Sequence, residues 1–189
     1  MTTVRTHETD LYEQMWAIAP YADHSPGEHY LPVFLDLVGD ARGSVLDAGC
    51  GAGKGALALQ RSGFQVALCD LTDAGLLPDA SVLPFVSTPL WVDLRTVVDE
   101  ADWVYCCDVL EHLPTAFTML AVARLLEVSR RGAFFSICLQ PDVFGAWVGQ
   151  PLHQTVQSFT WWRDALAELG QVRDCRDLVT TGVYFVEPR

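Results

Sequence analysis

The run Ser44-Val45-Leu46-Asp47-Ala48-Gly49-Cys50-Gly51-Ala52-Gly53-Lys54-Gly55 constrains the fold more than any other stretch of the chain. It reads as a short apolar strand, an acid, and glycine at every second position. Ala56 to Gln60, with its Ala and Leu, then suits a helix. Glycine is demanded where the backbone takes positive φ, or where a ligand must approach with no Cβ in the way. A tight turn from a buried parallel strand into a helix is such a place, and open α/β sheets bind nucleotides there. A glycine-rich turn without a ligand would explain one or two of these residues. It does not explain Gly49, Gly51, Gly53 and Gly55 together.

Two cofactor classes use such a turn. Gly51-Ala52-Gly53-Lys54-Gly55-Ala56 satisfies the dinucleotide pattern G-x-G-x-x-G/A, so an NAD(P)-dependent oxidoreductase stays open. Against it stands Asp47, whose carboxylate would lie close to a bound pyrophosphate and repel it. A P-loop is excluded, because Ala48 stands where its first glycine belongs and Gly55 follows Lys54 where Ser or Thr must bind magnesium. An acid makes better sense beside a cation. Asp47-x-Gly49-x-Gly51-x-Gly53 resembles the nucleotide loop of class I S-adenosylmethionine (AdoMet) dependent methyltransferases, whose ligand carries an ammonium and a sulfonium. The resemblance implies AdoMet as cofactor, S-adenosyl-L-homocysteine as product, and these four residues at the cofactor.

Further positions extend the pattern. Gln65 to Cys69 reads as a second strand that delivers Asp70, followed by Leu71, to its carboxyl end. Asp47 and Asp70 are 70 − 47 = 23 residues apart, near the ~20 at which a Rossmann-like sheet places an acid for ribose hydroxyls. A third strand is expected around Leu90-Trp91-Val92, ending at Asp93, and Asp93-Leu94 resembles the family's adenine site. Trp103 to Cys107 forms a fourth apolar strand. The run Asp108-Val109-Leu110-Glu111-His112 after it resembles the segment that, in many small-molecule methyltransferases, borders the methionine part of the cofactor and faces the substrate.

The remaining elements follow from periodicity. Residues 7 to 19 suit an amphipathic helix, and Ser25, Pro26 and Glu28 suit the start of a second helix that runs toward Val38 with a kink at Pro32. Thr115 to Arg130 reads as a helix stopped by Gly132, and Ala133 to Leu139 as a fifth strand. Trp161-Trp162 begins a short helix, and Val172 to Val179 with Val183 to Val186 form a terminal hairpin. The expected fold is α/β: a doubly wound, mostly parallel seven-stranded sheet with a C-terminal antiparallel hairpin. Residues 1–40 are expected as helices covering the cofactor site, with Tyr21, His24 and Tyr30 as lid residues, and residues 41–189 as the AdoMet-binding domain.

Methyl transfer from a sulfonium is a direct displacement whose leaving group is already activated by charge. The protein must align a nucleophile and keep water out. A hydroxyl acceptor also needs a base, and the two histidines expected on loops at the carboxyl side of the strands are His153 and His112. Glu111 and Asp142 are candidates for orienting a base or holding a substrate amine, and Phe144, Trp147, Phe159, Trp161 and Trp162 for an aromatic wall or, equally, for the core beneath the fifth strand. A noncatalytic AdoMet-binding module is the further alternative.

Composition narrows the partners. The net charge is −12 and Lys54 is the only lysine, so a nucleic-acid partner is not expected. No window approaches the roughly 18 uninterrupted apolar residues of a membrane span, and Met1 to Glu8 lacks the apolar core of a signal peptide. Of the six cysteines none forms C-x-x-C, so the spacing offers no metal site and suits reduced thiols in the cytoplasm. The sequence leaves the acceptor and the oligomeric state open.

Overall fold

The computed structural model describes residues 2–189. Seven strands form one sheet: β1 (Ser44–Ala48), β2 (Gln65–Asp70), β3 (Phe85–Ser87), β4 (Ala101–Cys107), β5 (Ser129–Cys138), β6 (Gln171–Asp177) and β7 (Thr181–Glu187). Their order is β3-β2-β1-β4-β5-β7-β6. The first five are parallel, and β7 runs antiparallel to both neighbours. Helices α1 (Thr2–Trp16), α2 (Ala19–Asp23), α3 (Pro26–His29) and α4 (Leu31–Val38) precede the sheet. Helices α5 (Lys54–Arg61), α6 (Thr115–Glu127) and α7 (Phe159–Leu169) connect its strands.

The apolar runs of β1, β4 and β5 are buried on both faces, as parallel strands between helical layers must be. One core, with Trp162, Leu125 and Phe135, lies under α6 and α7. The other holds Phe34, Leu59, Tyr105 and Phe134 under α4 and α5. Phe34 is fully buried and its ring meets those of Phe64, Trp103, Tyr105 and Phe134 at 5.2 to 6.5 Å. So α4 belongs to the core. The strand order reverses between β1 and β4, and the crevice at that switch point is where such sheets bind ligands.

Several elements depart from the sequence expectation. The third strand is Phe85–Ser87, not Leu90 to Val92. Thr88 N–H still donates to Asp70 O at 2.7 Å, but Pro89 has no N–H with which to continue. Leu90 and Trp91 instead turn into the core. The helix after Ser25 breaks at Tyr30 into α3 and α4, with Pro32 in the first turn of the second, and the Ser25 side chain forms no cap. Helix α6 ends at Glu127, and Gly132 lies inside β5 opposite Trp103, where a Cβ would stand 2.7 Å from the Phe185 ring. The first helix reaches back to Thr2 and ends at Trp16, and the hairpin turns over Leu178 to Thr180.

Candidate functional site

The glycine loop takes its shape from three positive φ angles, +75° at Gly49, +52° at Gly51 and +74° at Gly53, which residues with a Cβ adopt only at a cost. A Cβ would also strike a different neighbour at each: Val109, Trp16 and Ala80. Gly53 hands the chain to α5, and Lys54 reaches out of the first turn to donate to the carbonyls of Ala22 and Asp23 at 3.3 and 3.1 Å.

Asp47, the fourth residue of β1, is 5% exposed and lies beneath this loop. The Ala56 backbone N–H, in the first turn of α5, donates to it. Burial, and then the charge of Asp70, push its carboxyl up to about 7. Asp70 closes β2 and spans the turn, with Oδ2 accepting from Gly51 N–H at 2.8 Å and Oδ1 from Leu71 N–H at 2.7 Å. The backbone donors that would greet a phosphate are therefore already turned toward carboxylates.

Above the loop lies a cavity of about 280 Å³. Its walls include Asp47, Gly49, Gly51, Asp70, Leu71 and Asp108, which the structure thereby brings together. Gly53 is two residues beyond Gly51, buried in the turn. Asp93 and Leu94 are not among the lining residues. Asp93 pairs with Arg95 through two 3.0 Å hydrogen bonds, and Leu94 is fully buried in the core. The expected adenine contact through Asp93 and Leu94 is thus corrected. It failed because the third strand ends six residues earlier than assigned, at Ser87, so that Thr88, Leu90 and Trp91 reach the cavity instead.

Asp108 leaves β4 with φ +53°, its side chain accepting from Ser136 Oγ at 3.3 Å, and burial pushes it up to about 6. His112 and His153 meet across the cavity wall with ring centroids 4.5 Å apart. His112 Nδ1 lies 2.8 Å from the Tyr12 hydroxyl, and burial pushes its imidazole down to about 3. His153 Nδ1 lies 2.6 Å from the Gln140 carbonyl oxygen. A carbonyl only accepts, so Nδ1 carries the proton and Nε2 keeps its lone pair. Asp142 accepts from the N–H groups of Gly145, Leu152 and His153 and so shapes the loop carrying His153.

Of the expected aromatic wall only Phe144 lines the cavity. Trp162 is buried in the core, Phe159 stacks on Tyr184, and Trp147 and Trp161 are partly exposed. Of the expected lid residues Tyr21 and His24 line it and Tyr30 does not. The sequence reading missed Glu8, Tyr12 and Trp16 of α1, which also line the cavity. Their spacing of four was the available signal, since it places all three on one helical face.

A doubly wound sheet ending in an antiparallel strand, with a carboxylate-lined cavity over a glycine turn, has clear counterparts among solved structures. The chain superposes on magnesium protoporphyrin IX methyltransferase from Synechocystis PCC 6803 with bound S-adenosylhomocysteine at a TM-score of 0.68 and 19% identity, covering 98% of this chain and 99% of that one. The fold is that of the class I methyltransferases. The methyltransferase fold recurs in the 1,6-didemethyltoxoflavin-N1-methyltransferase of Burkholderia thailandensis, at TM-score 0.72 and 16% identity, over 99% of this chain and 88% of that one. That protein was solved with its namesake and S-adenosylhomocysteine bound. The N-terminal domain of EvdMO1, with S-adenosylhomocysteine and D-fucose, matches at 0.64 and 16%, over 88% and 84% of the two chains. No family model matches the chain, and no curated protein matches it. Among the described residues no helix is long and apolar enough to cross a membrane.

Proposed function

We propose that this chain is an AdoMet-dependent methyltransferase that acts on a small molecule at oxygen or nitrogen. The observation that carries the reading is the pair of carboxylates, Asp47 and Asp70, already holding backbone N–H groups of the glycine loop and the first turn of α5. A pyrophosphate would meet negative charge there, whereas an ammonium or sulfonium is stabilised. The shared fold, seen with S-adenosylhomocysteine in similar structures, supports the same ligand. The bound cofactor supplies an electrophilic methyl group on a positively charged sulfur.

Around it the residues take these roles. Gly49, Gly51 and Gly53 let the backbone approach, Asp70 receives the ribose hydroxyls, and Leu71 covers that end. Asp47 and Asp108 face the cationic part. Helices within residues 1–40 cover the site, with Tyr12, Trp16 and Tyr21 excluding water. Nε2 of His153 is the group placed to receive a proton from a hydroxyl acceptor, and His112, held by Tyr12, flanks it. The neighbour solved with 1,6-didemethyltoxoflavin supports a small acceptor. A net charge of −12 argues against nucleic acid. Six free cysteines support the reducing cytoplasm.

Calorimetry tests the reading: AdoMet and S-adenosylhomocysteine bind and NAD(P) does not. Heat from the dinucleotide alone would reverse it in favour of the oxidoreductase. His153→Ala is expected to keep cofactor affinity and lose about 10²- to 10⁴-fold in turnover on a hydroxyl acceptor. Unchanged turnover would remove it from the chemistry.

A further inference from the structure

At the histidine pair, three side chains of different chemistry converge from distant parts of the chain. Glu111 follows β4, Cys138 ends β5, and His153 sits on the loop beyond. One donor atom from each lies within 4.8 Å of the other two. Glu111 is fully buried, and its Oε2 has no hydrogen-bond partner among the described residues. A buried carboxylate oxygen without a partner is unfavourable unless a proton or a cation meets it. Its other oxygen is fixed, since Oε1 accepts from the Cys138 backbone N–H at 2.6 Å. The imidazole of His153 is fixed too, because Nδ1 donates to the Gln140 carbonyl and Nε2 is left free.

We infer that Glu111, Cys138 and His153 form a three-ligand site for a divalent transition metal ion of the zinc type. Carboxylate oxygen, thiolate sulfur and imidazole nitrogen are the ligand types that zinc accepts, and three protein ligands with a fourth position open is the pattern of its reactive sites. The outer contacts match as well. A metal-bound histidine characteristically donates its other N–H to a carbonyl or carboxylate, and a ligating carboxylate is itself hydrogen-bonded. Both contacts are present. Ligands at bond lengths of about 2.0 to 2.3 Å stand about 3.5 Å apart in a tetrahedron, so closing the site takes side-chain shifts of about 1 Å. Cys138 and His153 line the cavity while Glu111 stands behind them, so the open position faces the space where an acceptor enters.

Resting on the proposed methyl transfer, the ion would hold an acceptor hydroxyl as its conjugate base, the proton passing to solvent. The Nε2 lone pair of His153 is then bound to the ion, and metal and histidine base become alternative routes to the same deprotonated acceptor.

Cobalt(II) added to the metal-free protein tests the site without any turnover. The expected result is one equivalent bound with a thiolate-to-cobalt charge-transfer band, displaced by zinc. Cys138→Ser should abolish the band. Glu111→Gln, which keeps an acceptor for the Cys138 N–H, should weaken cobalt binding at least about tenfold. No band, or a band that persists in Cys138→Ser, overturns the site. AdoMet calorimetry on the same metal-free material separates this outcome from failure of the cofactor reading, which needs no ion.

Discussion

Asp47 carries the most physical information of any single residue, because its carboxyl, raised to about 7 by burial, is half ionised at neutral pH. A group whose folded pKa lies above its unfolded value binds more protons in the folded state between the two. Its contribution to stability therefore falls as pH rises from about 4 to 7 and is constant above. Asp47→Asn keeps an acceptor for the Ala56 N–H and removes this titration. We expect the variant to be more stable than the native chain at pH 8, by roughly 2 to 4 kcal/mol, and the difference to vanish toward pH 4 in denaturant titrations. A cation over Asp47 reverses the preference, so AdoMet should bind with proton release and more weakly at pH 6 than at pH 8. In the Asn variant, affinity should drop about 10- to 100-fold and lose most of that pH dependence. Affinity that is flat with pH in the native chain would mean Asp47 does not face the charge. The position of this acid was legible in the sequence because a strand, an acid and alternating glycines are all local. The locations of Asp93 and Leu94 were not, because they hinged on where β3 stops, and Pro89 decided that.

At the scale of elements, the roof over the cavity is joined to the sheet and its loops by specific polar ties, Tyr105 to Gly27 and Thr72 to Glu13 among them. Lys54 links α5 to the end of α2, Tyr12 reaches His112, and Gln154 Nε2 donates to both oxygens of Glu8 at 3.1 and 3.2 Å. Trp16 covers Gly51 and Gly75, and either Cβ would collide with its ring. Lys54→Met removes two hydrogen bonds worth about 1 kcal/mol each. The expected result is amide exchange at least about tenfold faster in residues 17–25, with the melting temperature little changed. Exchange as slow as in the native chain would show that packing alone holds the roof. Helix and strand types were mostly readable from periodicity, and their ends were not. Ser25 and Gly132 both carried the sequence signs of helix ends. The first makes no cap, and the second is a strand residue under an aromatic ring, since tertiary packing outweighed local preference at each.

Across the whole molecule, the sheet divides two apolar cores, and Phe34 inserts the N-terminal region into one of them. Phe34→Ala should therefore cost about 3 to 5 kcal/mol, read as a lower denaturant midpoint in one transition shared by α4 and the sheet. An N-terminal transition that separates from the rest would contradict this. The sequence by itself determined every strand of the sheet but β3: apolar runs of strand length, glycines where φ must be positive, and acids at the ends of β1 and β2. These depend on neighbours in the chain. Only the tertiary structure decided which remote side chains share the cavity wall. Tyr12 meets His112 across 100 residues, and Glu111, Cys138 and His153 converge from separate loops and strand ends. No periodicity encodes such meetings, because they arise when parallel strands bring their carboxyl ends to one edge and the intervening helices fold back over it.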